Sequence, residues 1–342
     1  AGFLSLGFLG ARHRLDARTV RSYIAILALL LVGSFMAVCF IPSAWPFFQG
    51  FAVLVTAVLI SNMLYFVVAR VRLIFYRPTP VPDHSHRTDW PTVTVLLAVR
   101  NEPVEVVRQT ISSALETDYP ADRLSVIVVD NSDDAEHVQV VESMLATLGD
   151  GTVKFIHRDG TQGYKPYNLD LAMKQIDSDY VFLLDADSTL TFDALKASGA
   201  TLDTDPELGM AQLITISTNG SVGVFARASA LFVSMLRTSI GMLNDSGGFL
   251  FFYGHNGMWR TAALREVGPW EQYYRGRIMI GEDRMLSLLA YAAGYRGATV
   301  DRLAGEWAPM TINEFRSTYQ RWCYAFCQSL SRDGLRLMTS AG

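Results

Sequence analysis

The feature that most constrains this chain is a run of 48 residues, 22–69, that contains no Asp, Glu, Lys, Arg or His. As a single α-helix this run would be roughly 72 Å long, at about 1.5 Å per residue. The hydrocarbon core of a bilayer is only about 30 Å thick, so one straight span is excluded. The sequence therefore predicts two membrane-spanning helices.

The predicted break between these helices lies at residues 42–46. Pro42 and Pro46 lack the amide hydrogens that a helix needs, and Trp45 suits the membrane interface. We therefore place the spans over about residues 22–41 and 47–69. A cleaved signal peptide is the alternative, but the first apolar run is too long for one and a second run follows it immediately.

Arginines flank the pair of predicted spans on both sides: Arg12, Arg14, Arg18, Arg21, Arg70, Arg72 and Arg77. Because the turn between the spans carries no charge, the positive-inside bias places both flanks in the cytoplasm. The sequence thus predicts a multi-pass protein of the plasma (inner) membrane with a cytosolic basic segment over residues 1–21. The proline-rich stretch at 70–88 is expected to be an extended linker, and a cytosolic globular domain is expected over 89–322.

Composition limits what that domain can do. Charged residues make up 18% of the chain, and 29 Lys and Arg stand against 33 Asp and Glu, for a net charge of −4. This balance provides no general electrostatic reason to bind nucleic acid. Cys39, Cys323 and Cys327 are too few for a disulfide framework, and the last two lack companion ligands for zinc. A cytosolic domain also needs no disulfides.

After the linker, short β-branched runs alternate with helical patterns. The predicted strands cover residues 92–99, 125–129, 153–157 and 180–184, and the predicted helices between them cover 104–116, 135–148 and 167–175. Apolar strands alternating with crossover helices are typical of an α/β fold with a doubly wound, mainly parallel sheet. Ligands of such sheets bind beyond the carboxyl ends of the strands.

Polar segments follow three of the predicted strands, at residues 100–103, 130–134 and 185–187. Asp and Asn also cap helices and form turns, which would explain any one of these segments alone. In the last segment, Asp185 and Asp187 are two residues apart at the end of an extended strand, so their carboxylates project from the same side. Such a pair can hold Mg²⁺ or Mn²⁺ shared with the phosphates of a nucleoside diphosphate.

Residues 182–190 also resemble the first motif of haloacid-dehalogenase-type phosphotransferases, in which Asp185 would attack phosphorus. That motif normally opens its domain. Here several predicted strands and helices precede it, and no later lysine and acidic motif completes the set. The order of elements therefore argues against this alternative.

Five short elements occur in one order along the chain: Asn101-Glu102-Pro103, Val128-Val129-Asp130, Leu184-Asp185-Ala186-Asp187, Gly281-Glu282-Asp283 and Gln320-Arg321-Trp322. Over about residues 90–325 this succession resembles family 2 glycosyltransferases. More narrowly, it is similar to the membrane-embedded cellulose, hyaluronan, chitin and β-glucan synthases. The resemblance implies a GT-A-type fold and an inverting transfer from a UDP-sugar to a growing β-glycan.

The resemblance also implies roles at the donor site. Asp130 would contact the uridine, and Asp185 and Asp187 would hold the sugar nucleotide and its metal. Lys165 and Asn168 match a Lys-x-x-Asn element whose lysine faces phosphate. The alternative for Lys165 is a surface charge that precedes a proline-initiated helix.

At the acceptor side, the resemblance makes Asp283 the catalytic base. Asp283 precedes a predicted helix over residues 285–293, whose dipole favours the ionised carboxylate; the alternative is simple helix capping with Glu282 as a dipole partner. Arg321 can bind diphosphate oxygens and Trp322 offers a face to a sugar ring, or the two form an Arg-aromatic packing pair. The remaining substrate-binding candidates are Glu102, Glu282 and Gln320.

The segment over residues 253–260 is similar to the loop of these enzymes that contacts donor sugar and acceptor. Its Gly-His-Asn start, at 254–256, is closest to the glucan-synthase branches and favours UDP-glucose as the donor. His255 within it is a substrate-binding candidate. The alternative for His255 is a core histidine with one partner on each ring nitrogen.

Two features depart from the family pattern. The family places a glutamine three positions before the arginine of Gln-x-x-Arg-Trp, where this chain has Thr318. A threonine hydroxyl can still bond to an acceptor sugar but does not reach as far as a glutamine amide. The resemblance therefore supports use of the sugar donor more strongly than processive synthesis. In addition, residues 323–342 contain no span-length apolar run; 324–337 is expected to be an interfacial amphipathic helix, as is 225–243. Two spans enclose no pore. The expectation is that the chain is truncated, or that a homo-oligomer or further membrane subunits form the channel.

Two other functions are compatible with the same residues. A transferase could add a single sugar to a lipid carrier, and product length would separate this case from polymer synthesis. A scaffold subunit that has lost activity could organise an export complex; Thr318 favours it, whereas the intact acidic set argues against it. The leading prediction requires four acids to gather in one pocket: Asp130, Asp185, Asp187 and Asp283.

Overall fold

The computed structural model describes residues 80–148, 151–247 and 251–340, together with scattered residues between 50 and 71. The chain divides into two compact units, Ala1–Arg77 and Pro78–Gly342. The boundary between the units lies within the predicted linker. The predicted basic segment, the first predicted span and the turn after it lie outside the described residues.

In the first unit, the described residues between 50 and 71 are helical. Several of their large apolar side chains are exposed, among them Val53, Leu54, Leu59 and Leu64. Within the described part of the chain, no helix combines the length and the apolar character needed to cross a bilayer. The two membrane spans stay a prediction.

The strands of the second unit are β1 (Val93–Val99), β2 (Leu124–Asp130), β3 (Val153–His157), β4 (Tyr180–Leu184), β5 (Thr189–Leu190), β6 (Leu208–Ser217), β7 (Gly257–Arg260), β8 (Tyr273–Tyr274), β9 (Arg277–Ile278) and β10 (Arg296–Glu306). One sheet of eight strands has the order β3-β2-β1-β4-β7-β6-β10-β5, and β8 pairs with β9. β7 is antiparallel to β4 and β6, and β5 is antiparallel to β10, whereas the other neighbours are parallel. The sheet is therefore mixed, with the predicted parallel strands forming one half.

The helices of the second unit are α1 (Val104–Leu115), α2 (Ala135–Leu148), α3 (Tyr164–Met173), α4 (Ala194–Leu202), α5 (Val224–Gly247), α6 (Thr261–Val267), α7 (Glu282–Ala292) and α8 (Ile312–Ser340). The three helices predicted between the first four strands are confirmed, with ends shifted by three residues or fewer.

α8 begins twelve residues before the predicted interfacial helix at 324–337. The reason is a capping arrangement at its start: Thr311 Oγ1 accepts a hydrogen bond from the backbone of Glu314, and the Glu314 carboxylate accepts one from the backbone of Met310. Side chains that satisfy free backbone N–H groups in this way mark a helix start. The Gln-Arg-Trp element therefore lies inside a helix.

Helices pack their apolar sides against both faces of the sheet, so the central strands are buried on both sides. On one face, Val95 and Leu97 of β1 pack with Ile111 of α1 and with residues of α2 and α4. On the other face, Leu96 packs with Leu169 of α3 and with residues of α6 and α7. The two apolar layers confirm a doubly wound arrangement and leave the strand ends free to carry polar side chains.

Candidate active site

The polar edge predicted from the sequence exists. β1, β2, β4, β6 and β10 share one direction, so their carboxyl ends lie together, and β7 runs the opposite way, which brings the loop at 253–256 to the same edge. Burial raises the pKa of Glu102 to about 7, and the charges of Asp185 and Asp130 add to the rise. The acids at the ends of β1, β2 and β4 therefore lie close enough to interact along one edge of the sheet, and we call this edge the groove.

Asp185 follows β4 directly and has a basic group at each carboxylate oxygen. Lys165 Nζ, from the first turn of α3, lies 2.5 Å from Oδ1, and His255 Nδ1 lies 3.2 Å from Oδ2. Burial alone would raise the pKa of Asp185, but Lys165 and His255 outweigh it and lower the pKa to about 2. The Lys165 side chain is therefore part of the site and not a free surface charge.

Asp187 turns its carboxylate toward the loop after β10, where Oδ2 accepts a hydrogen bond of 3.0 Å from the backbone N–H of Trp307. Burial raises the pKa of Asp187, and the charge of Asp185 raises it further. A hard divalent cation near both carboxylates would relieve this repulsion. Two carboxylates fit Mg²⁺ or Mn²⁺ whose other ligands are water and diphosphate oxygens. Among the described residues, no group of three or more His, Cys, Asp or Glu side chains is arranged to hold a metal.

Glu306, the last residue of β10, completes the site from the far side of His255, and it is not among the residues predicted from the sequence. Its carboxylate accepts hydrogen bonds from His255 Nε2 at 2.8 Å and from Arg237 Nη2, on α5, at 3.2 Å. All three side chains are at most 10% exposed. Burial alone would raise the pKa of Glu306, yet Arg237 and His255 lower it to about 2. His255 is thus buried, as its alternative required, and also joins Asp185 to Glu306.

Asp283 reaches the same place from α7. A Cβ atom on Gly254 would lie 3.4 Å from Asp283 Oδ2, and the Gly254 carbonyl accepts a hydrogen bond of 3.3 Å from Lys165 Nζ. Gly254 has a φ of +91°, a backbone conformation that favours glycine. Only one glycine therefore separates the predicted base from the Lys165–Asp185 pair.

Both acids of α7 lie in its first turn, and the residue before the helix is Gly281, which has no side chain that could cap it. Asp283 Oδ1 accepts a hydrogen bond of 2.7 Å from the backbone N–H of Arg284, so its carboxylate also satisfies one free amide of the helix start. The pKa of Glu282 is raised to about 7 by burial and by the neighbouring charge of Asp283. The structure is therefore compatible with both the helix-start role of Asp283 and the predicted role as a base.

Asp130 lies at the other end of the groove and is 0% exposed. Its Oδ1 accepts a hydrogen bond of 2.5 Å from Ser132 Oγ, and its Oδ2 lies 3.1 Å from the Ser132 backbone N and 2.6 Å from His157 Nδ1. His157 is the last residue of β3, and its side chain is 29% exposed. It ends a parallel strand just as Asp130 does, so its position at a strand end could have identified it from the sequence.

Asn168 is buried in α3 beneath the groove. Its amide donates to Asn131 Oδ1 at 2.8 Å, and its own Oδ1 accepts from Arg158 Nε at 2.5 Å. It therefore joins the loop after β2 to the loop after β3. Glu102 is half-buried, and its carboxylate accepts a hydrogen bond from the backbone of Arg100.

α8 presents one of its three motif residues to the site. Gln320 and Arg321 are exposed, whereas Trp322 is half-buried. Arg237 Cζ lies 5.7 Å from the centroid of the Trp322 ring, and Tyr319 packs against that ring at 4.9 Å between centroids. The arginine that packs with Trp322 is therefore Arg237 and not its neighbour Arg321.

The structure thus brings Asp185, Asp187 and Asp283 together with Lys165, His255, Glu282 and Trp322, and places Asp130, Glu102 and Asn168 along the same groove. Gln320 and Arg321 lie on the exposed side of α8. A groove with the ionised Asp185 carboxylate, a half-buried lysine and an aromatic side chain can bind a diphosphate through a cation and hold a sugar beside a carboxylate base.

Comparison with known proteins identifies the type of domain. A family model described as glycosyltransferase-like family 2 matches residues 91–325. These residues contain every site residue described above.

Three curated relatives are similar over different parts of the chain. The probable glucomannan 4-beta-mannosyltransferase 6 of Oryza sativa subsp. japonica is 29% identical over 261 residues, which are 72% of this chain and 44% of the rice protein. The probable glucomannan 4-beta-mannosyltransferase 10 of Arabidopsis thaliana is 27% identical over 331 residues, 92% of this chain and 56% of that protein. The UDP-forming cellulose synthase catalytic subunit of Pseudomonas fluorescens is 33% identical over 136 residues, 40% of this chain and 18% of that protein. The chain spans about half the length of these relatives, or less.

The solved structure of mannosyltransferase PcManGT from Pyrobaculum calidifontis, in complex with GDP-Man and Mn²⁺, has a TM-score of 0.64 to this chain. It is 20% identical and covers 83% of this chain and 74% of its own. At this identity the likeness concerns the fold, and it confirms the predicted GT-A-type architecture.

Proposed function

This chain belongs to the glycosyltransferase-like family 2, and from that premise we propose that it transfers a hexose, with inversion, from a nucleoside diphosphate sugar to a growing β-glycan. Its relatives are named cellulose synthase catalytic subunits and glucomannan mannosyltransferases, and both names describe hexose transfer. Membership of this family also removes support from the phosphotransferase alternative for Asp185.

The observation that carries the proposal is the position of Asp283 next to Gly254 and the Lys165–Asp185 pair. Gly254 lies against the Asp283 carboxylate on one side, and its carbonyl accepts from Lys165 on the other. An inverting transfer needs a base on the acceptor side of the anomeric carbon and positive charge on the diphosphate side. These two requirements correspond to Asp283 and Lys165.

The residues divide the chemistry between them. The Asp283 carboxylate takes the proton of the acceptor hydroxyl as that oxygen attacks the anomeric carbon. Lys165 neutralises charge that develops on the departing diphosphate. Mg²⁺ or Mn²⁺, held by Asp185 and Asp187, would supply further positive charge at that diphosphate. Trp322 offers its ring face to the acceptor sugar.

Two donors are candidates, and each has separate support. The Gly-His-Asn segment at 254–256 favours UDP-glucose, as does similarity to a UDP-forming cellulose synthase. GDP-mannose is favoured by similarity over 92% of this chain to a protein named as a mannosyltransferase. A mannosyltransferase with a similar fold was solved with GDP-Man and Mn²⁺.

The test is to incubate the purified chain with radiolabelled UDP-glucose, GDP-mannose and other sugar nucleotides, with Mg²⁺ or Mn²⁺, and to size the product. A polymer that a β-glycanase digests supports the proposal and identifies the donor. One sugar on an organic-extractable lipid would support the lipid-carrier alternative. Nucleotide binding without transfer from any donor would support the scaffold alternative.

We also propose that residues 22–69 form two spans of the plasma (inner) membrane and that the transferase domain is cytoplasmic. The uncharged run and its flanking arginines support this placement. Proteolysis of sealed inner-membrane vesicles tests it, because the domain should be digested only in vesicles whose cytoplasmic face points outward. Digestion only in the opposite orientation would contradict the proposal.

A second copy of the chain, or other membrane subunits, would complete a polymer channel.

A further inference from the structure

A hydroxyl of α1 reaches the segment that carries the acids Asp185 and Asp187. Thr110 is 1% exposed, and its Oγ1 donates a hydrogen bond of 2.5 Å to the carbonyl of Ala186, 76 residues away in the chain. A threonine inside a helix commonly donates to a carbonyl of the preceding turn of its own helix, as Thr201 of α4 does. The Thr110 hydroxyl instead connects α1 to the residue between the two acids.

This contact fixes the peptide group that leads into Asp187. The carbonyl of Ala186 and the N–H of Asp187 belong to one planar unit, so a bond to the carbonyl also limits the direction in which the Asp187 side chain leaves the backbone. Ser188 Oγ accepts from the backbone N–H of Asp185 at 3.2 Å, and the Ser188 N–H donates to the Asp185 carbonyl at 3.0 Å. Ser188 thus holds the Asp185 end of the turn, and Thr110 holds the Asp187 end.

A second hydroxyl of α1 holds the far end of the same segment. Ser113 Oγ accepts a hydrogen bond of 3.2 Å from the backbone N–H of Leu190, in β5, and donates one of 2.8 Å to the carbonyl of Thr110. Residues three apart share one face of a helix, so both hydroxyls reach the same neighbouring segment. Ile111, next to Thr110, is 0% exposed and packs in the core. α1 is therefore a fixed support for residues 186–190.

Such a support matters because the two acids repel each other. Asp185 has Lys165 and His255 beside it, whereas the Asp187 carboxylate accepts from a backbone N–H, that of Trp307. Without a cation, repulsion between the like charges favours any rearrangement that moves Asp187 away. The bonds to α1 oppose such a rearrangement and keep both carboxylates where one cation can use them.

We propose that α1 positions the metal site through the hydroxyls of Thr110 and Ser113, with Thr110 holding Asp187 where it can share one divalent cation with Asp185. Both hydroxyls are positioning residues, because they act through the backbone of the segment. The inference rests on the proposed function, since it assumes that Asp185 and Asp187 hold the metal. Removing a contact that orients metal ligands commonly weakens metal binding by about 10–100-fold.

The experiment measures the Mn²⁺ dissociation constant of the full purified chain from the electron paramagnetic resonance signal of free Mn²⁺, in separate titrations with saturating UDP and with saturating GDP. Thr110→Val removes the hydroxyl and leaves the buried Ala186 carbonyl without its donor, so the constant should rise about tenfold. Thr110→Ser keeps a hydroxyl and should keep the wild-type constant.

The matched control is Thr117→Val, just after the end of α1. Thr117 is 7% exposed, and its Oγ1 donates a hydrogen bond of 2.7 Å to the carbonyl of Ala114 in that helix. Both valine variants lose a buried hydrogen bond of the same type, so the unfolding temperature of the metal-free chain should fall by a similar amount in both. The Mn²⁺ constant should change only in Thr110→Val, which separates positioning of the acids from general stability.

An unchanged Mn²⁺ constant in Thr110→Val would overturn the inference, and so would an equal loss of affinity in Thr117→Val. In either case, loss of Mn²⁺ binding in Asp187→Asn would leave the proposed metal role of the two acids standing. If the wild-type chain binds no Mn²⁺ with either nucleotide, the inference and the metal part of the proposed function fail together.

A second variant keeps the test open if Thr110→Val does not fold. Ser113→Ala removes the contact of α1 with Leu190 and leaves the Thr110 hydroxyl in place. It should also weaken Mn²⁺ binding, and an unchanged constant in this variant would overturn the inference.

Discussion

Asp185 and Asp187 are two residues apart, yet their carboxyl groups have pKa shifts in opposite directions. Burial alone would raise both pKa values. Lys165 and His255 lie beside Asp185 and lower its pKa to about 2. The negative charge of Asp185 adds to the effect of burial on Asp187 and raises the pKa of Asp187 further. One member of the pair is thus held ionised by the protein. The other becomes a strong ligand when a cation lies nearby.

The role of Asp283 as the base predicts a selective loss in one variant. Asp283→Asn removes the proton acceptor without changing the shape of the side chain, so transfer should fall by about 10²–10⁴-fold. The proposed diphosphate contacts, Lys165 and the metal at Asp185 and Asp187, involve other side chains, so the affinity for UDP or GDP should stay within about twofold, a small energy on the scale of tenfold per 1.4 kcal/mol. Steady-state kinetics and calorimetry measure the two quantities. Retained turnover would refute the assignment.

Glu306 has two contacts, one that balances the charge of Arg237 and one that orients His255, and two variants can separate these effects. Glu306→Gln leaves Arg237 buried without its counter-charge, so the free energy of unfolding should fall by about 3 kcal/mol. Replacing both partners, as Arg237→Met with Glu306→Leu, should restore much of that stability. Transfer should stay low in both variants, because His255 loses the carboxylate that orients it.

Denaturant unfolding and transfer assays of the same samples test this prediction. The control is Glu142→Gln, an exposed carboxylate on α2 that should change neither quantity. Recovery of full activity in the double variant would show that Glu306 only balances the charge of Arg237.

At the scale of elements, the alternation of strands and helices up to β4 was predictable, whereas the second half of the sheet was not. β1 to β4 are short, apolar and separated by amphipathic helices, and α1 buries Val107, Thr110, Ile111 and Ala114 with helical spacing. β10 contains Arg296, Asp301 and Arg302 among its eleven residues, so its sequence lacks the continuous apolar run that indicates a buried strand. β7 has only four residues, and its antiparallel direction depends on pairing with strands that are distant in the chain.

The contact between α7 and α8 gives a prediction about one glycine. A Cβ atom on Gly281 would lie 2.9 Å from Ala325 Cβ on α8, closer than two carbon atoms can pack. Gly281→Ala should therefore push α8 away from the start of α7 and lower the free energy of unfolding by about 1–3 kcal/mol. It should also reduce transfer, because Glu282 and Asp283 follow directly.

The matched control for this substitution is Gly223→Ala. A Cβ atom there would meet nothing within 4 Å, so stability should change by less than about 0.5 kcal/mol. Thermal or denaturant unfolding of both variants provides the comparison. Equal stability of the two would show that α8 adjusts freely against α7.

At the scale of the whole molecule, the shifted carboxyl groups predict how stability depends on pH. Burial raises the folded-state pKa of Glu102 and Glu282 from 4.5 to about 7, so the folded state binds more protons in that window. The free energy of unfolding should then fall as pH rises from 4.5 to 7. Asp185 and Glu306 are lowered to about 2, so the stability that they contribute is lost as pH falls toward 2.

Together these groups place the stability maximum at about pH 4 to 5. Thermal unfolding of the wild-type chain between pH 3 and pH 8 measures the curve. The variant Glu102→Gln with Glu282→Gln should flatten the decline above the maximum, whereas Glu142→Gln should not. A wild-type melting temperature that rises from pH 5 to pH 7 would contradict the prediction.

The order of amino acids by itself determined where strands and helices alternate and which strand ends carry acids, because both depend on periodicity over a few neighbouring residues. The tertiary structure alone decided that Glu306 and Arg237, 69 residues apart, meet behind His255, and that His157 makes a hydrogen bond with Asp130, 27 residues away. Those contacts depend on strand order and direction, which arise from hydrogen bonds between distant segments. For the same reason, only the folded chain could show that Trp322 faces the site while Gln320 and Arg321 face outward.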